Sequence, residues 1–143
     1  YQIGYAVDEI NHTKAFHHFQ MSAMMDLPEA MTCLGTCFLH GYGTDKDVAE
    51  AVRWYSKAAE AGCSEGMYNL ALCLQDGVGV QESIGMAIQW MNQSAADEHV
   101  DAMYVMAMYH MQGAGAIEKN EELANEMLTK IVDRFDHPAS QLR

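Results

Sequence analysis

A stretch running from Ala30 to Gly43 returns from Gly66 and again from Ala102, so the chain repeats itself every 36 residues. Few features constrain a fold so tightly. Each copy must form the same small unit, and no unit of that size buries its apolar face without its neighbours. The three copies read AMTCLGTCFLHGYG, GMYNLALCLQDGVG and AMYVMAMYHMQGAG. A second stretch, AVRWYSKAA from Ala51, returns as AIQWMNQSA from Ala87 and more loosely over residues 14–23. In the last unit Ala124, Met127 and Leu128 come into register only after one inserted residue, and the same insertion aligns Ala139 with Ala30.

Each unit reads as two helices. The first is expected to begin near Pro28, Ser64, Asp101 and again Pro138, where a side-chain oxygen or a missing amide suits the unpaired first turn. It ends at Gly41, Gly77 or Gly113, since glycine takes the left-handed conformation that closes a helix. Asn11, Asp47, Ser83 and Asn120 are expected to cap the second helix, with Asp47 and Glu50 resembling a capping box. Small residues recur at fixed positions, Gly35, Ala71 and Ala107 in the first helix and Ala58 and Ser94 in the second, which lets paired helices approach closely. Leu34, Leu70, Met106, Trp54 and Trp90 fill the space beside them.

The expected fold is therefore all-α, an α/α solenoid of stacked antiparallel hairpins with about 36 residues per repeat. It forms one domain over residues 1–143, divided into a partial unit 1–26, units 27–62, 63–99 and 100–136, and the start of a further unit at 137–143. Both ends fall inside repeat units, so the chain reads as a piece of a longer protein.

Composition agrees and removes whole classes of function. Half of the residues are hydrophobic and only two are prolines, which suits a packed helical core. Twenty acidic residues against eight basic ones give a formal charge of −12, which repels phosphate backbones and anionic lipid. Nucleic acid is not an expected partner. No apolar run reaches the roughly 18 residues that a membrane span requires. The four cysteines, Cys33, Cys37, Cys63 and Cys73, have spacings that suggest no disulfide framework, and free thiols favour a reducing compartment such as the cytoplasm.

The order Ala-x-x-x-Leu-Gly, then Gly-x-Gly, then Ala-x-x-Trp-Tyr-x-x-Ala-Ala-x-x-Gly resembles the Sel-one-like repeat, a relative of the tetratricopeptide repeat. Residues 30–62 match at almost every signature position, residues 66–96 match well, and residues 102–132 match in outline. Ala116 in the loop and Met127 in place of tryptophan are the main departures.

Several motifs have a chemical look. Residues 62–66 satisfy the G-x-S-x-G pattern of a nucleophile elbow, but no strand precedes Ser64, and that chemistry needs a strand feeding the turn. The Gly-x-Gly turns lack the third glycine and the lysine of phosphate-binding loops, and recur as architecture. Cys33, Cys37 and His40 share one helix face with ligand types that suit zinc, but the next unit replaces the set with Asn69, Cys73 and Asp76, and no fourth ligand is evident. His17, His18 and His110 are read as packing residues. No catalytic residue, metal or cofactor is expected.

The resemblance implies that the first helix of each hairpin lines the concave side of the stack. The partner-binding positions it implies are Thr32, Thr36, Leu39 and His40, then Tyr68, Asn69, Leu72, Gln75 and Asp76, then Tyr104, Met108, Met111 and Gln112. Tyrosine and methionine there make an apolar, adaptable surface. With no lysine or arginine among these positions, a neutral or basic amphipathic protein or peptide is the expected partner. The expected function is a non-catalytic adaptor or scaffold. The alternative is a regulatory or substrate-docking domain of a larger enzyme whose catalytic part lies outside this chain. The uncovered end hairpins offer a third route, self-association.

Overall fold

The computed structural model describes residues 2–136, with side chains described from Asn11 to Phe135. Among them are seven helices: α1 (Gln2–Met24), α2 (Pro28–His40), α3 (Val48–Glu60), α4 (Ser64–Asp76), α5 (Ile84–Ala96), α6 (Val100–Gln112) and α7 (Glu121–Asp136). There is no strand among the described residues, only an isolated bridge between Ala114 and Ile117. Each helix packs on the next, and α2 also packs on α4, so the even-numbered helices form one layer of an α/α solenoid and the odd-numbered helices the other. The positions assigned to Pro138 and Ala139, and the further unit at 137–143, lie outside the described residues.

The loops show why the period is strict. Gly41 and Gly77 close α2 and α4 in the left-handed conformation, at φ 76°, ψ 38° and φ 68°, ψ 35°. The second glycine of each loop serves close approach. A Cβ on Gly43 would lie 2.3 Å from the carbonyl oxygen of His12, and one on Gly79 would lie 2.3 Å from that of Val48. Each loop thus rests on the previous unit's second helix one period earlier. Across the same loops the amide of Asp47 donates to the carbonyl of Phe38, and that of Ser83 to the carbonyl of Leu74, both at 2.8 Å.

The extra residue of the last unit falls in this loop. There the amide of Asn120 reaches the carbonyl of His110, ten residues back instead of nine, at 2.6 Å. Gly113 consequently has ψ 142° and does not form the expected left-handed cap. The slack is taken up by the Ala114 to Ile117 bridge.

The second-helix caps hold at three of four positions. The side chains of Asp47, Ser83 and Asn120 accept from the amides of Glu50, Met86 and Leu123. Asn11 does not cap, because α1 runs through it unbroken. The reason is visible one period before Gly41 and Gly43, where Tyr5 and Val7 stand in place of the glycines that would end a helix. The capping box at Asp47 is half formed: its amide is taken by Phe38, and the Glu50 carboxylate turns to Arg53. The first helices start slightly earlier than expected. Cys63 and His99 occupy the N-cap positions, leaving Ser64 and Asp101 inside the first turn.

Alanines make the interior thin enough to stack. Ala51, Ala58, Ala71, Ala87, Ala102, Ala107 and Ala124 are fully buried where helices meet. Leu34, Leu70, Met106, Tyr55 and Met91 fill the gaps between them. Gly66 is required for the same reason, since a Cβ there would stand 2.7 Å from that of Ala58. All four cysteines are free thiols, three of them buried.

Candidate functional site

The even-numbered helices expose side chains between them, and two hollows form there. The smaller, about 160 Å³, lies between α2 and α4 and opens onto Tyr55 of α3; Leu39, Asn69, Leu72, Cys73, Asp76 and Val78 complete its wall. The larger, about 460 Å³, lies between α4 and α6, where Leu72, Gln75, Val105, Met108, Tyr109 and Gln112 face Glu82, Ile84 and the loop at Gly113. These are one site repeated. Advancing Leu39, Asn69, Cys73 and Asp76 by 36 residues gives Gln75, Val105, Tyr109 and Gln112, and all four line the larger hollow. Leu72 forms the wall shared by both.

Their chemistry is mostly apolar with an acidic rim. Asp76 and Glu82 carry the only charges in the two linings, and no lysine or arginine takes part. Tyr109 spans the larger hollow, its hydroxyl donating to Oε1 of Gln75 and so tying α6 to α4. Burial raises the Tyr109 phenol above its ordinary range, and the nearby Asp76 carboxylate raises it further, so the hydroxyl remains a donor. The side-chain amide of Asn69, half-buried in the smaller hollow, has no hydrogen-bond partner among the described residues.

The positions expected to bind a partner do not all lie on this surface. Leu39, Asn69, Leu72, Gln75, Asp76, Met108 and Gln112 line the hollows. Tyr104 is exposed on α6 and Met111 is half-buried, and both are outside the two linings. Tyr68 is half-buried against the ring of His99, 4.9 Å between centroids. Thr32 is a correction: only 4% of it is exposed, and its hydroxyl is engaged by Pro28 and Cys63 inside the stack. The Thr36 hydroxyl is likewise occupied, 2.8 Å from that of Tyr55. His40 is exposed, packs on Tyr42, which in turn meets His12 of α1, and lines neither hollow. Val105 and Tyr109 were missed, although carrying Asn69 and Cys73 forward by one period leads to both.

His99 is a further residue the sequence left unmarked. Its Nδ1 accepts from the amide of Ala102, capping α6, and its Nε2 meets the carboxylate of Glu65 on α4. The motifs with a chemical look take structural roles. Ser64 opens α4, and its carbonyl accepts from the hydroxyl of Ser94, 2.8 Å away. Burial raises the Cys33 and Cys37 thiols above their ordinary range. Among the described residues no group of three His, Cys, Asp or Glu side chains is placed to hold a metal ion. No described helix is long and apolar enough to cross a membrane.

Comparison with known proteins agrees with this architecture. The Sel1 repeat model matches residues 1–27, 28–63, 64–99 and 100–134. A 54-residue stretch, 38% of the chain, is 39% identical to an uncharacterized protein of Neisseria meningitidis serogroup B and spans 12% of it. Among solved structures, a Sel1 repeat protein from Oxalobacter formigenes superposes with a TM-score of 0.79 at 26% identity, over 85% of this chain and 48% of that one. A protective antigen of uropathogenic Escherichia coli with an SLR fold superposes at 0.77 and 26% identity, over 85% of this chain and 26% of that one. Cysteine-rich protein B of Helicobacter pylori shares the fold at a TM-score of 0.60 and 21% identity, over 63% of this chain and 68% of that one.

Proposed function

The chain belongs to the Sel1 repeat family, whose members are generally non-catalytic protein-interaction modules, and from that premise we propose that it is an adaptor holding a partner against α2, α4 and α6. The observation that carries this reading is the pair of equivalent hollows on either side of Leu72. A surface made twice by the same repeat positions suits a ligand that runs along the stack. The acidic rim at Asp76 and Glu82, with the formal charge of −12, selects a neutral or basic amphipathic partner. In a larger enzyme the same surface would dock a substrate or regulator.

The test is partner recovery with Met108→Ala and Gln112→Ala combined, two side chains that line the larger hollow. Neither side chain belongs to the fully buried core, so the helical circular dichroism signal is expected to persist while partner recovery is lost. Undiminished recovery would place the partner elsewhere, on the face of α3 and α5.

A further inference from the structure

We propose a second docking surface, at the corner where α1 turns into α2, that takes a basic protein segment carrying bulky apolar side chains. It goes beyond the adaptor reading and does not depend on it. Met21, Met24 and Met25 are 67%, 75% and 75% exposed, and Leu27, at the N-cap of α2, is 49% exposed. Met24 and Met25 follow Met21 by three and four residues, which makes the three side chains neighbours on one face. The other units show that stacking does not ask for them. One period on, the three positions hold Lys57, Glu60 and Ala61, then Gln93, Ala96 and Asp97, then, after the inserted residue, Lys130, Asp133 and Arg134. All nine are exposed, even on α3 and α5, whose units have a neighbour before and after. A preceding repeat would therefore leave the methionines bare. Their flexible thioethers form an apolar patch that adapts to the shape of a partner.

The surroundings select a basic occupant. Met24 joins Met31 and Trp54 in a hollow of about 450 Å³ whose charged lining is Asp26, Lys57 and Glu60. The Lys57 ammonium sits 4.6 Å from the Trp54 ring centroid, so the hollow already holds one cation against an aromatic face. The carboxylates of Asp26, Glu60 and Glu29, the last in the first turn of α2, make no ion pair among the described residues. A lysine or arginine reaching them is attracted, while its apolar neighbours cover the methionines. A second copy docked face to face would set the same carboxylates against one another. An anionic lipid surface is repelled by the formal charge of −12.

The experiment uses the whole chain and a labelled capped peptide, Lys-Leu-Leu-Lys-Lys-Leu-Leu-Lys-Lys-Leu-Leu-Lys, in fluorescence polarisation, beside the same peptide with glutamate for lysine. Met21→Lys, Met24→Glu and Met25→Ala combined copy the next unit and keep the net charge. This triple variant is expected to bind the lysine peptide about tenfold more weakly, and Asp26→Asn with Glu60→Gln about fivefold more weakly. Glu122→Gln with Glu126→Gln, which removes two carboxylates of α7, is expected to leave binding unchanged. Circular dichroism reports folding, and if the triple variant does not fold, the Asp26 and Glu60 pair decides. Equal binding by the wild type and these variants, equal binding of the glutamate peptide, or no binding of the lysine peptide would overturn the inference. A dimer in light scattering, or sedimentation with phosphatidylcholine vesicles, that the triple variant abolishes would overturn it too, by giving the patch to a second copy or a bilayer. If Met108→Ala with Gln112→Ala abolishes peptide binding and the triple variant keeps it, the peptide sits in the paired hollows. This inference then fails and the adaptor reading stands. If the triple variant weakens the peptide while partner recovery ignores Met108 and Gln112, this inference stands and the adaptor reading fails.

Discussion

The ring of Tyr55 lies so close over Gly35 that a Cβ there would stand 2.8 Å from both Cδ1 and Cε1. Tyr55 is 1% exposed and shares a hydrogen bond with Thr36, the residue next to that glycine, which holds the ring in place. One period later the same pair of positions holds Ala71 and Met91, both fully buried. The glycine and the aromatic ring form one solution to the helix crossing, and the alanine and the flexible thioether form another.

Gly35→Ala alone is therefore expected to destabilise the protein by about 1–3 kcal/mol, the usual range for overpacking a core. Adding Tyr55→Met, which copies the next unit, is expected to recover part of that loss. Urea denaturation of the wild type, both single variants and the double variant measures the coupling. Simple additivity of the two changes would show that the positions do not constrain each other.

Alkaline pH is expected to loosen the same region. Burial pushes the Tyr55 phenol up to about 12 and the Cys73 thiol up to about 11, from ordinary values of 10 and 9. A folded-state value above the unfolded one means that the unfolded chain releases its proton first as pH rises. The stability held by each neutral group is complete below the unfolded value and is lost on the way to the folded one. The Cys73 contribution thus declines between about pH 9 and 11 and that of Tyr55 between about pH 10 and 12. Melting temperature followed from pH 8 to 11.5 should fall, and Tyr55→Phe should fall less steeply. A flat profile would contradict the burial of both groups.

The loop glycines give a third prediction. Gly79 has φ 70°, and an added Cβ would meet the backbone carbonyl of Val48, which cannot swing aside as a side chain could. Gly62 also has positive φ, at 93°, but nothing lies within 4 Å of its added Cβ. Gly62→Ala should cost about 1 kcal/mol from conformation alone, and Gly79→Ala clearly more because the neighbouring repeat must shift. Equal losses in thermal melts would show that the loop does not bear on the preceding helix.

The periodicity made the helical stack, the hairpin boundaries and the small-residue packing legible, because every unit restates them. What it hid were the places where units differ. The run of α1 through Asn11 depends on Tyr5 and Val7 standing where later units have glycines. The cap at His99 depends on one histidine where the other units have Leu27 and Cys63, neither of which makes a side-chain cap. The site was legible in part for a related reason. Helical spacing identifies a face but does not say which side chains are taken up by the stack, so Thr32 was expected outside and lies within. The hollows were not legible in the period, since Tyr55, Glu82 and Ile84 reach them from outside the first helices.

The central claim is that a partner lies along α2, α4 and α6, and site-specific photo-crosslinking addresses it most directly. A photoreactive residue in place of Met108, in the larger hollow, should form a covalent adduct with the bound partner. The same residue in place of exposed Gln89 on α5 should form none. Adducts from the Gln89 position but not from the Met108 position would contradict the account and move the interaction to the opposite layer.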